Sequence, residues 1–276
     1  MPVGRPRILC VVAALALPSC LLPSEMPEPV DPPGAERISW RGPDGHVSAL
    51  RAGDPHGRRV LYVHGTPGDA TNWSRFLEAP LPGTDSVALD RPGFGDSDPR
   101  RAVPCLACQA DALEPALRID EGAGTVLVGH SLGGPIVLRA ACDRPELVGG
   151  VVVVAGNVDP SIEGPQWYNY FALGFLAFLP RALVNANAEL MPQRAELQEL
   201  VPLLADLTVP VAIVHGTDDE LVPYANALYL EELLAPRGPV RLFPIEDAGH
   251  LVIWTRPEVV REAIEWVLAE SQSADG

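Results

Sequence analysis

An α/β fold on a mostly parallel sheet is the architecture that this sequence predicts, and three observations carry it. Apolar strand candidates alternate with helix-compatible stretches along most of the chain. Several strands are continuously apolar, as in Val151-Val152-Val153-Val154, which suits strands covered by helices on both faces. Finally, 47% of the 276 residues are hydrophobic, enough for one buried core.

The elements follow in order. Arg5 and Arg7 precede an apolar core, Ile8 to Leu17, which reads as an export signal and is too short to anchor stably across a bilayer. Leu17-Pro18-Ser19-Cys20 resembles the lipobox of bacterial lipoproteins. That resemblance implies removal of residues 1–19 as a signal peptide and lipid attachment at Cys20. Residues 20–35, rich in Pro and acidic side chains, read as an extended tether. The folded domain is then 36–276. Glu36 to Arg41 and Val47 to Arg51 flank Gly42-Pro43-Asp44-Gly45, an antiparallel hairpin pattern. Further strands are expected at Arg59 to His64, Ser86 to Asp90, Thr125 to Gly129, Gly150 to Ala155, Val209 to His215 and Val240 to Pro244.

Between Asn157 and Asp206 the alternation stops, and an aromatic, helical stretch containing Trp167-Tyr168-Asn169-Tyr170-Phe171 intervenes. It is read as a small helical cap, residues 157–206, whose apolar walls favour a small-molecule substrate with an apolar acyl or alcohol part. Extra core helices are the ordinary alternative, and a membrane-interface surface is a third.

The net charge of −16 argues against nucleic acid as a partner and offers no basic patch to a membrane. All 20 basic residues are Arg, which excludes lysine-based catalysis. Of the five cysteines, Cys105 and Cys108 are spaced for a local disulfide, and Cys142 reads as a core residue. No His-Glu-x-x-His or paired zinc-binding cysteine pattern occurs, and no Gly-x-Gly-x-x-Gly follows the first strand, so neither metal nor cofactor is expected.

The densest signal is Gly129-His130-Ser131-Leu132-Gly133-Gly134, directly after Thr125-Val126-Leu127-Val128. With 25 Gly in 276 residues, a chance Gly-x-Ser-x-Gly is expected about 0.1 times in such a chain. Strand before and helix after make it more than a chance string. A serine on a tight strand-to-helix turn needs flanking glycines where strand and helix cross, and the helix start supplies free N–H groups for developing negative charge. Serine needs a base held in one tautomer by a carboxylate. Two downstream loops offer them: His215-Gly216-Thr217-Asp218-Asp219-Glu220-Leu221-Val222-Pro223 and Glu246-Asp247-Ala248-Gly249-His250, each after a strand.

In these motifs and their order the chain resembles the α/β-hydrolase superfamily from Glu36 to Glu270. His64-Gly65-Thr66-Pro67-Gly68 is similar to its oxyanion loop, and Asp90-Arg91-Pro92-Gly93-Phe94-Gly95-Asp96-Ser97 to the turn after the following strand. The resemblance implies Ser131 as nucleophile, His250 as base and Asp219 as the orienting acid, with Asp218 as fallback. It also implies an oxyanion hole of the Thr66 and Leu132 backbone N–H groups. His64, His130 and His215 are expected to be structural hydrogen-bonding groups.

The expected reaction is cleavage of an ester or thioester through an acyl-enzyme, by an exported protein tethered to the bacterial envelope. The alternatives are a proline-iminopeptidase-like activity with Glu163 or Glu189 receiving a substrate amine, carbon–carbon bond hydrolysis, perhydrolase chemistry, and a non-catalytic envelope binding protein.

Overall fold

The computed structural model describes residues 30–120, 123–172 and 179–273; the expected signal peptide, Cys20 and most of the tether lie outside them. The strands are β1 (Glu36–Gly42), β2 (Gly45–Gly53), β3 (Arg58–Val63), β4 (Thr84–Leu89), β5 (Ile119–Asp120), β6 (Ala123–His130), β7 (Val148–Val154), β8 (Val211–Gly216) and β9 (Val240–Ile245). The helices are α1 (Ser74–Glu78), α2 (Leu106–Asp111), α3 (Gly133–Asp143), α4 (Trp167–Ala172), α5 (Arg181–Leu190), α6 (Gln193–Leu203), α7 (Ala225–Leu234), α8 (Val252–Thr255) and α9 (Pro257–Ser273).

The sheet order is β1-β2-β4-β3-β6-β7-β8-β9, with the short β5 beside β6. β1, β2 and β4 pair antiparallel, while β4, β3, β6, β7, β8 and β9 pair in parallel. This is the α/β-hydrolase fold expected from the sequence. The continuous valine runs have the predicted cause, because successive side chains alternate between two buried faces. Val151 and Val153 join Leu61, Leu127 and Ile213 under α3, α6 and α7. Val152 and Val154 join Tyr62, Val128 and Val214, packed with Trp73, Ile253 and Ile264.

Parallel pairing also brings the functional loops together. The segments after β3, β4, β6, β8 and β9 all emerge at one sheet edge, the carboxyl ends where ligands bind in such folds.

Between β7 and β8 the chain runs through α4, α5 and α6, and these helices divide. Leu197 and Leu200 of α6, and Leu204 after it, are fully buried in the cluster that holds Ile136 and Val137 of α3. This end of the inserted segment packs into the core. At the other end, Trp167 and Tyr170 of α4 are each 55% exposed, and Asn169 donates to Asn187 of α5 (3.0 Å).

The last residues of the expected tether are fastened to the sheet: Arg37 of β1 pairs with Asp31 (3.0 Å) and Asp90 (2.9 Å). Cys105 and Cys108 are joined as a disulfide at the start of α2. Cys142 is half-buried, and burial pushes its thiol up to about 12, so it is inert as a nucleophile.

Candidate active site

Ser131 sits between the end of β6 and the start of α3 with φ +54°. A non-glycine residue there costs roughly 1–2 kcal/mol, so the surroundings must hold it. They do so through backbone bonds: the Ser131 N–H donates to Val154 O (2.9 Å), and its carbonyl accepts from Gly134 N–H (2.8 Å). Tight crossing explains two glycines. A Cβ on Gly129 would collide with the carbonyl of Gly133, and one on Gly133 with the carbonyl of Val63.

Asp219 and His250 meet although they arise from different strands. His250 Nδ1 lies 2.8 Å from Asp219 Oδ2. The other carboxylate oxygen, Oδ1, accepts the N–H groups of Leu221 (2.9 Å) and Val222 (2.8 Å), which fixes the carboxylate within its own loop. His215, at the end of β8, points Nε2 at Asp219 Oδ2 (3.4 Å) and at Val222 O (2.9 Å). Burial opposes ionisation of Asp219, but the hydrogen bonds from His215 and His250 prevail and hold it well below the usual carboxylate range. Asp218 is exposed and binds Ala248 O through its backbone N–H. Asp219 is therefore the carboxylate that faces the imidazole.

His250 is placed against the serine turn. His130 Nε2 lies 3.2 Å from His250 O, and the two rings are 4.9 Å apart. Among the described residues no hydrogen bond joins Ser131 Oγ to His250, which is common before substrate binds. None of the described hydrogen bonds uses the N–H of Thr66 or Leu132 either.

His64 and His130 are bound in their own surroundings. His64 Nε2 accepts from Arg91 N–H (3.0 Å), which leaves Nδ1 to donate to Gly65 O (2.7 Å). Burial, followed by the charge of Arg91, holds His64 neutral, well below its ordinary value. Burial and the neighbouring His250 push His130 down to about 3. Neither is a base at neutral pH.

The two acidic residues considered for binding an amine differ. Glu163 accepts from Asn226 Nδ2 (2.8 Å), and burial raises its pKa, helped by Asp159 and Asp219. Glu189 is buried and fully engaged. Its Oε1 accepts from Arg91 Nη1 (2.9 Å) and Gln109 Nε2 (2.9 Å), and its Oε2 from Arg91 Nη2 (3.1 Å) and Thr66 Oγ1 (2.6 Å). It is not available to a substrate amine. Nothing in the sequence signals this role of Arg91, which lies in the turn after β4, because Glu189 is 98 residues away and no local pattern links them. Among the described residues no cluster of three or more His, Cys, Asp or Glu could hold a metal ion.

Known proteins are similar to this chain in sequence and fold. The profile of the Alpha/beta hydrolase family matches residues 60–263. The acetyltransferase component named for acetoin cleavage in Cupriavidus necator is 27% identical over 70% of the chain, although the chain spans only 58% of that relative's length. The 2-(acetamidomethylene)succinate hydrolase of Mesorhizobium japonicum is 26% identical over 75% of the chain and 87% of the relative. Among solved structures, the 2-hydroxy-6-oxo-6-phenylhexa-2,4-dienoate hydrolase of Rhodococcus sp. superposes with TM-score 0.68 at 21% identity, covering 85% of this chain and 99% of that one.

Proposed function

The chain belongs to the alpha/beta hydrolase family and is an enzyme, and from that premise we propose a serine hydrolase that cleaves an ester or thioester through an acyl-enzyme on Ser131. The observation that carries this reading is the 2.8 Å contact between Asp219 and His250 beside the turn that holds Ser131 at φ +54°. In this mechanism His250 takes the hydroxyl proton from Ser131 and returns it to the leaving group. Asp219 fixes the imidazole so that Nδ1 keeps its proton and Nε2 is free to accept, and it stabilises the imidazolium that forms. The N–H groups of Leu132 and Thr66 receive the developing oxyanion. Water then repeats the sequence to release the acyl group.

The substrate we assign is a small molecule with an apolar acyl or alcohol part, bound under α4 and α5. No basic nucleic-acid surface is part of this reading, since the net charge is −16. Export and attachment through lipidated Cys20 belong to the same proposal and rest on the N-terminal sequence; mass spectrometry of the mature N-terminus tests them. A chain that begins at Met1 would remove that part alone.

Carbon–carbon bond hydrolysis is the second reading, favoured by relatives and structural neighbours whose names describe hydrolases of dienoates. Incubation with a fluorophosphonate probe tests the parent reading. Labelling of the wild type at Ser131, absent in Ser131→Ala, is expected, and a panel of acyl esters of rising chain length beside vinylogous diketones separates the two chemistries.

A further inference from the structure

We propose that Glu189, on the inserted helix α5, is a positioning residue for the oxyanion hole and that it acts through Arg91 on the Gly65–Thr66 peptide. The inference rests on the functional reading above, which gives the Thr66 N–H its role.

A peptide group is planar, so fixing its carbonyl fixes the direction of its N–H. The Gly65–Thr66 peptide has Gly65 O at one end and the Thr66 N–H at the other. Gly65 O is gripped twice, by Arg91 Nη2 (2.9 Å) and by His64 Nδ1 (2.7 Å). Arg91 Nε also holds the preceding carbonyl, His64 O (2.9 Å). The guanidinium is thus a rigid fork that spans two successive carbonyls of the loop.

Glu189 holds that fork in turn. Its two oxygens meet Nη1 and Nη2 of Arg91, and the pair is almost fully buried, with side-chain exposures of 0% and 2%. The same carboxylate receives the Thr66 hydroxyl at 2.6 Å. The loop residue whose N–H is to meet the oxyanion is therefore tied to α5 through its side chain and through its own peptide plane. Gln109 of α2 completes the carboxylate shell at 2.9 Å and also donates to Val103 O (2.9 Å). The consequence is coupling: the oxyanion donor is in place only while α5 is seated on the sheet edge.

Thr66→Val and Glu189→Gln test this in the full-length protein. Valine keeps the shape and the backbone N–H of Thr66 but removes the hydroxyl, and its site is only half-buried. Because one oxyanion donor is displaced rather than deleted, kcat on an activated ester falls about 10- to 100-fold in each, with KM changed less than about threefold. The fluorophosphonate labelling rate falls in parallel. Thr66→Ser restores both, and the double variant is no worse than about the worse single one. Wild-type kcat in both single variants, or a raised KM with kcat unchanged, overturns the inference whatever happens to the melting temperature. A wild type that does not label at all would sink the parent reading and this one with it. A wild type that labels no faster than Thr66→Val overturns this one alone.

Discussion

At the scale of single residues, the site is defined by which groups keep their charge. Asp219 is depressed below its ordinary value of 3.8 by hydrogen bonds that outweigh its burial. A carboxylate depressed on folding contributes stability that is present above the unfolded value and drains as pH falls toward the folded one. Asp219→Asn should therefore lower stability at neutral pH and flatten its decline below about pH 4, as read from urea unfolding across pH. Activity should drop about 10⁴-fold through loss of the correct histidine tautomer. His130 makes a second acid-sensitive contribution. Its folded value of about 3 lies below the ordinary 6.5, so the unfolded chain binds the proton first between those limits. Stability therefore falls there as pH drops. His130→Phe should remove that slope between about pH 6.5 and 3, and an unchanged slope would show that His130 is not its source.

The elements show why some of the site was readable in advance. The motif around Ser131 is legible because strand, turn and helix are contiguous, and each glycine has a local steric cause. Gly133→Ala tests that cause: its Cβ would run into the carbonyl of Val63 on β3, and a backbone obstacle does not step aside. A loss of about 1–3 kcal/mol on denaturant unfolding is expected; a neutral substitution would refute the close-packing account. The loops that carry Asp219 and His250 are legible for another reason, since each directly follows a strand at the sheet edge. Arg91, Glu189 and Gln109 were not, because they meet only through the packing of α2 and α5 on the loop after β4. Arg91→Ala should cost about 3–5 kcal/mol by leaving the Glu189 charge buried and unpaired, and urea unfolding measures it. The division of the inserted segment was equally hidden: the leucines of α6 look alike whether they face a cap or a core, and only their contact with α3 decides.

Across the whole molecule, the alternation of strand and helix carried the fold, because valine runs with two buried faces admit few other architectures. The parallel sheet then does the functional placing, bringing loops from β3, β6, β8 and β9 to one edge despite their separation in sequence. What the sequence leaves unread is the occupant of that edge, since α4 and α5 are shaped by their mutual packing and not by any motif. The central claim is that this edge holds a Ser131–His250–Asp219 triad with Ser131 as its nucleophile. Fluorophosphonate labelling followed by peptide mapping tests it most directly. The account predicts one covalent adduct, on Ser131, lost in Ser131→Ala and slowed by several orders of magnitude in His250→Ala. An adduct on another residue, or equal labelling of Ser131→Ala, would contradict it.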